Sequence, residues 1–334
     1  MQQEGKPKFL KYHQGSVRSV AFSPRERYLF CSGGYDGKII FYSALRMESL
    51  RNYQITPHYI TQAKNVNAVK FTSDGSKVTA VTNARRLVVI DVEKGAQLSS
   101  YDNCAWGGKD RTGLATDPAK PNIVIFVTVN GKGLTLVDLR MPLPLHFIYD
   151  LHGSTIRDIC FLPSSWPWQN SILTCGIDGT CKVSSPDGRV MHSFQTGHSV
   201  NTVCVTPEPF SQTAEDGYYS LMMSGGDLVS AYVPNSGIQQ LLKEHNNSPV
   251  WKLRYTSNGS TLFSVCDGGI LRRYRRYPDH HEHLGEIYRH KGDIQDLDVS
   301  PWDEYVITAS KDRSVGILLL GSPNHGFTEY TELT

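Results

Sequence analysis

The feature that most constrains this chain is an internal period. His152, His198, His245 and His290 each open a similar segment, at intervals of 46, 47 and 45 residues. His13 opens another, 139 residues before His152, which is three periods of about 46. A fixed period of this size marks a chain of like supersecondary units, none of which can bury its apolar faces alone. The spacing implies seven units, starting near residues 13, 60, 106, 152, 198, 245 and 290. The second and third lack the leading histidine.

Within a unit the order is constant. After the histidine comes an apolar alternation, as in Val17-x-x-Val20-x-Phe22, Ile156-x-x-Ile159-x-Phe161, Val200-x-x-Val203-x-Val205, Val250-x-x-Leu253-x-Tyr255 and Ile294-x-x-Leu297-x-Val299. A turn follows, such as Ser23-Pro24, Thr206-Pro207 or Ser300-Pro301. A second apolar run leads to a tight turn, at Asp36-Gly37, Asp178-Gly179, Asp267-Gly268 and Asp312-Arg313, and a third run closes the pattern. In the irregular third unit Asn130-Gly131 occupies that turn. Short runs separated by turn chemistry, with no sustained 3.6-residue period, predict an all-β chain of four strands per unit. Seven such units predict a ring of radial sheets that bury both faces against their neighbours, one domain over residues 1–334.

Composition narrows the function classes. Of 334 residues 39% are hydrophobic, and Lys+Arg 34 nearly cancels Asp+Glu 32, so bulk charge points neither to nucleic acid nor to an anionic membrane. No apolar run reaches the roughly 18 residues of a membrane span, and the first residues do not resemble a secretory signal. Seven cysteines without a Cys-x-x-Cys spacing read as buried, reduced thiols, which suits the cell interior, cytoplasmic and/or nuclear. The sequons at Asn246 and Asn258 are then chance.

With its leading His, V-x-x-V-x-F first strand, Ser-Pro turn and Asp-Gly turn, the sequence resembles the WD-repeat β-propeller family from about residue 7 to 320. The Trp-Asp dipeptide is absent; Leu136-Val137-Asp138 and Ile90-Asp91-Val92 are its nearest relics. The resemblance implies a seven-bladed propeller and a hydrogen-bonded series of His, Ser or Thr, turn Asp and Trp. His13, Ser32 and Asp36 match the first three members, as do His290, Ser310 and Asp312; Asp178 and Asp267 are the turn carboxylates of their units. Phe41 and Ile317 stand for the tryptophan, which implies a network of three. It also implies that a terminal segment supplies the outer strand of the last blade. Lys8–Tyr12 is favoured over the tail around Phe327–Leu333. Relatives that recruit substrates to cullin-type ubiquitin ligases end a sheet with Trp-Asp-x-Arg, of which Asp138 and Arg140 keep two members.

Other clusters have simpler readings. Asp279-His280-His281-Glu282-His283 has the residue types of a zinc or copper site but the placement of a polar loop. Arg272, Arg273, Arg275 and Arg276 interleave with Tyr274 and Tyr277, as in nucleic-acid or lipid contacts, and equally as on an exposed strand. Gly107-Gly-Lys109 and Asn130-Gly-Lys-Gly133 lack phosphate-loop spacing and read as turns. No nucleophile elbow or zinc-protease helix motif occurs, so neither a catalytic residue nor a cofactor is expected. The expected function is a non-enzymatic scaffold or adaptor for other proteins in a multiprotein complex. The alternatives are a cullin-ligase substrate receptor and an RNA- or histone-tail-binding module. From the family geometry, the residue after the first apolar of each first strand should rim the channel: Arg18, Asn67, Arg157, Asn201, Trp251 and Gln295. Tyr35, Ile177 and Lys311, just before the turn Asp, should join them. Arg18, Tyr35, Arg157 and Trp251 are the expected core of a partner site suited to an acidic peptide.

Overall fold

Alternation of apolar side chains on both sides of each strand decides the architecture. A computed structural model describes residues 5–108, 112–166, 168, 170–207, 220–234, 237–242, 248–278 and 280–321. Twenty-eight strands form seven antiparallel sheets of four. Blade one spans 17–54, blade two 66–101, blade three 114–148, blade four 156–195, blade five 200–242 and blade six 250–289. Among the described residues the only helical segment is the 3-10 turn Asp267–Gly269. The first strands of neighbouring blades touch one another in a closed cycle, so they line the centre of the ring.

Blade one shows how the period-2 pattern divides the core. Cys31, Ile39 and Phe41 pack against Val66, Val69, Phe71 and Val78 of blade two. Their sequence neighbours Phe30, Ile40 and Tyr42 pack the other way, against Tyr305, Ile307, Val315 and Ile317 of blade seven. Each strand is therefore apolar on consecutive residues, as sheets covered on both faces require. The fourth strand lies outermost and is mostly exposed, as in Glu48–Gln54.

Blade seven is completed from the other end of the chain. Its three C-terminal strands, from Ile294 to Leu319, pair with Lys8–Leu10 in the order 8–10, 315–319, 305–310, 294–299. The register sets Lys8 opposite Ile317, Phe9 opposite Gly316 and Leu10 opposite Val315. Leu10 is 3% exposed and enters the core between blades one and seven, while Phe9 lies edge-on to Tyr288 and His290. The N-terminal segment thus takes the edge. The rival tail at 327–333 lies outside the described residues, as do Lys109, His245, Asn246 and Asp279.

Candidate partner-binding surface

The turn carboxylates organise one end of the ring. In blade one His13 Nδ1 lies 3.0 Å from the Asp36 carboxylate and Nε2 lies 2.7 Å from Ser32 Oγ. Ser32 in turn donates to Tyr42 Oη at 3.0 Å. The series therefore has four members, and the last is Tyr42 rather than Phe41. A shift of one residue reverses the face, so Phe41 points into blade two instead. Burial raises the Asp36 pKa, but the His13 hydrogen bond and charge and the backbone N–H groups of Gln14 and Lys38 outweigh it, leaving about 2. Gly37 follows at φ +74, a left-handed turn position that glycine adopts without a Cβ penalty.

The other blades vary this theme. His152 bridges Asp178, at 3.2 Å, and Thr174, at 2.8 Å. His290 bridges Asp312, at 3.1 Å, and Thr308, at 2.8 Å, and Thr308 meets Tyr288 Oη at 2.7 Å. Thr308 therefore holds the place expected of Ser310. The register pairs Thr308 with Gly316, whereas Ser310 lies at the strand end and donates to the Gly292 carbonyl. Ile317 is likewise not the terminal member; the hydroxyl comes from the adjacent blade's Tyr288. Asp267 also stands elsewhere: its turn is as long as that of blade one but carries the Asp one position earlier, so it occupies the position of Tyr35 and accepts the Trp251 indole N–H at 2.6 Å. His198 Nδ1 lies 3.0 Å from the carbonyl of Ser199.

A repeated bulge positions the residues expected at the rim. The first-to-second-strand register skips one residue between Val17 and Ser19, Val66 and Ala68, Ile156 and Asp158, Val200 and Thr202, Val250 and Lys252, and Ile294 and Asp296. The skipped residues are Arg18, Asn67, Arg157, Asn201, Trp251 and Gln295. A bulge leaves its extra residue out of the ladder and re-aims its side chain. Here it does so six times, at the end of the innermost strands that adjoins the Asp turns.

The resulting side chains are not equally placed. Arg18 lies over the Tyr35 ring at 4.2 Å, donates to the Tyr35 hydroxyl, and donates to Gln295 Oε1 at 2.5 Å, joining blades one and seven. Lys311 pairs with Asp293 at 2.8 Å. Asn67 donates to the Gly108 carbonyl at 3.0 Å and Asn201 to the Val250 carbonyl at 3.2 Å. Arg157 is half-buried on blade four and Ile177 is exposed at the adjoining turn. The structure thus brings Arg18, Tyr35 and Gln295 into one cluster and Trp251 and Asp267 into another.

Below that end lies a layer that periodicity missed. Lys252 Nζ meets Asp158 Oδ2 at 2.5 Å, with the two side chains 2% and 3% exposed. Asp158 also accepts from Thr202 Oγ1, at 2.8 Å, tying blades four, five and six. Asp296 accepts from Ser19 Oγ at 2.8 Å, and Ser19 Oγ accepts from the Val69 backbone N–H, tying blades seven, one and two. Arg254 lies 3.4 Å from Asp298. The only sequence signal was a charge at a non-apolar place of the V-x-x-V-x-F frame, where solvent exposure is the default expectation.

The remaining clusters resolve by face. His281 is buried and shares a hydrogen bond with Tyr255 Oη at 2.7 Å; burial lowers its pKa to about 4. His280 instead stacks on Tyr277, and among the described residues no group of His, Cys, Asp and Glu has the geometry to hold a metal. Arg272 is buried against Cys266 Sγ and Glu286, Arg275 stands opposite Glu282, and Arg276 lies over the Tyr255 ring. Arg140 chelates Asp138 through Nε, at 2.9 Å, and Nη2, at 2.5 Å, while 70% of its side chain stays exposed. No helix of the described residues is long and apolar enough to cross a membrane.

Comparison with known proteins agrees with this geometry. The family model of the WD domain, G-beta repeat, matches residues 6–43, 237–272 and 281–317. The solved structure of U3-55K superimposes with a TM-score of 0.78 over 94% of this chain and 98% of that one, at 15% sequence identity. Because 1873 solved chains match, the likeness fixes the fold and selects no function. No curated protein matches the sequence. Three segments of the chain match the WD-repeat model, and with seven four-stranded blades closed by an N-terminal strand it folds as a seven-bladed β-propeller.

Proposed function

We propose that the protein is a non-enzymatic interaction scaffold whose docking surface is the bulged end of the ring, where Arg18, Tyr35 and Gln295 form the anchor. Propellers of this kind typically serve protein interaction. The observation that carries the reading is the Arg18 guanidinium lying 4.2 Å over Tyr35 and bonded across the blade junction to Gln295. Stacking pre-orders a charged planar group on a rigid scaffold, so little side-chain entropy is lost on binding, and Arg and Tyr dominate interface energetics. Trp251, fixed by Asp267, and Arg157 extend the surface over blades six and four. An acidic peptide suits this set. Affinity recovery from cells with mass spectrometry, comparing wild type with an Arg18→Ala/Trp251→Ala variant of unchanged melting temperature, tests it. Loss of the wild-type partners is expected; their full recovery by the folded variant overturns the reading.

A second reading rests on Asp138 and Arg140. The Asp138-held guanidinium is presented beside Met141 and Leu143, which are 49% and 72% exposed, as an adaptor contact for a cullin-type ligase would need. An Arg140→Ala variant should then lose a cullin adaptor while keeping the partners of the bulged end.

A further inference from the structure

A hollow of about 190 Å³ opens where the N-terminal strand meets the junction of blades six and seven. Phe9 forms one wall, Lys11, Arg289 and Lys291 supply the cations, and His290 and Asp312 form the floor. Lys11, Arg289 and Lys291 are exposed. Arg289 pairs with Glu286 at 3.2 Å, while the Lys11 and Lys291 ammonium groups take part in no ion pair among the described residues. The one carboxylate in the hollow is already satisfied: Asp312 meets His290 Nδ1, the Lys291 backbone N–H, and the Ser314 N–H and hydroxyl. Burial holds His290 on the neutral side against the pull of Asp312, so the floor adds no cation that would complete a pair. With Arg289 held by Glu286 and Asp312 already hydrogen-bonded, Lys11 and Lys291 leave a positive potential focused in a concave site.

We propose that this hollow receives a phosphate monoester on a side chain of a partner protein, at a site separate from the bulged end. A phosphate group carries close to two negative charges at neutral pH and offers three acceptor oxygens, which matches the two lysine ammonium groups and the Arg289 guanidinium lining the hollow better than a carboxylate does. The Phe9 ring supplies an apolar wall for the Cβ that bears the ester and, in threonine, for the methyl group beside it. Phe9 is 36% exposed and is held edge-on against Tyr288 and His290, so its ring is fixed as one side of the hollow that an inserted side chain would meet. Lys11 directly follows the clasp strand Lys8–Leu10, whereas Arg289 and Lys291 flank the blade junction, so the anion would bridge the strand to the blades it closes. Binding would then stabilise ring closure by mass action.

Fluorescence anisotropy tests this with a labelled Gly/Ser peptide bearing one phosphothreonine, its unphosphorylated twin, inorganic phosphate as competitor, and phosphatidylcholine vesicles doped with a phosphoinositide. The phosphopeptide should bind, its twin should not, inorganic phosphate should displace it, and hydrogen exchange of the 8–10 amides should slow on binding. Lys11→Ala/Lys291→Ala and the single Lys291→Gln should each weaken binding about tenfold or more, because a charge-assisted bond is lost. Arg18→Ala/Trp251→Ala should leave it unchanged, which separates this site from the proposed scaffold surface. The proposal is overturned if the wild type ignores the phosphopeptide, if both lysine variants bind it undiminished, or if only vesicles or free phosphate bind.

Discussion

The buried pair of Lys252 and Asp158 gives the sharpest energetic test. The ammonium of blade six reaches a carboxylate of blade four at 2.5 Å, and both side chains are at most 3% exposed. Removing two charges from water costs several kcal/mol each, which the close contact and the hydrogen bonds of Asp158 to Thr202 Oγ1 and to the Val203 and Ile159 N–H groups offset. Losing one partner leaves that desolvation cost standing. Lys252→Met should therefore destabilise by about 3–5 kcal/mol, and so should Asp158→Asn. In the double variant neither charge remains, so its loss should fall short of the sum by about 2–3 kcal/mol. Urea unfolding followed by tryptophan fluorescence reads these differences as shifts in midpoint at constant slope. Effects that add to within about 0.5 kcal/mol would refute the claim that the two groups are stabilised as a pair.

Four further outcomes are expected. Deleting residues 1–12 removes the outer strand of blade seven and the buried Leu10, so the truncated protein should aggregate through the exposed edge, read by light scattering; an unchanged melting temperature would count against the clasp. Asp36→Ala removes the acceptor of His13 and of the Gln14 and Lys38 N–H groups and should cost about 1–3 kcal/mol by denaturant unfolding. Tyr42→Phe deletes only the end of that series and should cost about 1 kcal/mol. His281 has its pKa held at about 4, against an ordinary value near 6.5, so the fold binds its proton less readily than the unfolded chain does. Stability from this group is present above pH about 6.5 and lost as pH falls toward 4, by about 3 kcal/mol in all. A His281→Gln variant should flatten that part of the pH–stability curve, and an unaltered slope would remove His281 as the cause.

Periodicity alone determined that the chain is all-β and that it repeats seven times, while the resemblance to the WD-repeat family pointed to Lys8–Tyr12 for the open edge. Strand alternation and turn chemistry are local properties, and a period of about 46 residues repeats them often enough to be read without coordinates. What lay beyond the sequence depended on register. A one-residue difference separates Phe41 from Tyr42, yet one faces blade two and the other ends the His13 series, because side chains on a strand alternate faces. Thr308 replaced Ser310 because the register sets Ser310 at the strand end, two residues further along the same face, and Asp267 met Trp251 because it stands one position earlier in its turn than Asp36 does. The bulges that turn out Arg18, Arg157 and Trp251 leave no composition signal, since they are a mismatch between two strands rather than a property of either. The Lys252–Asp158 pair needed tertiary packing: 94 residues and two blade boundaries separate its members, and the stacking of blades four, five and six sets them side by side.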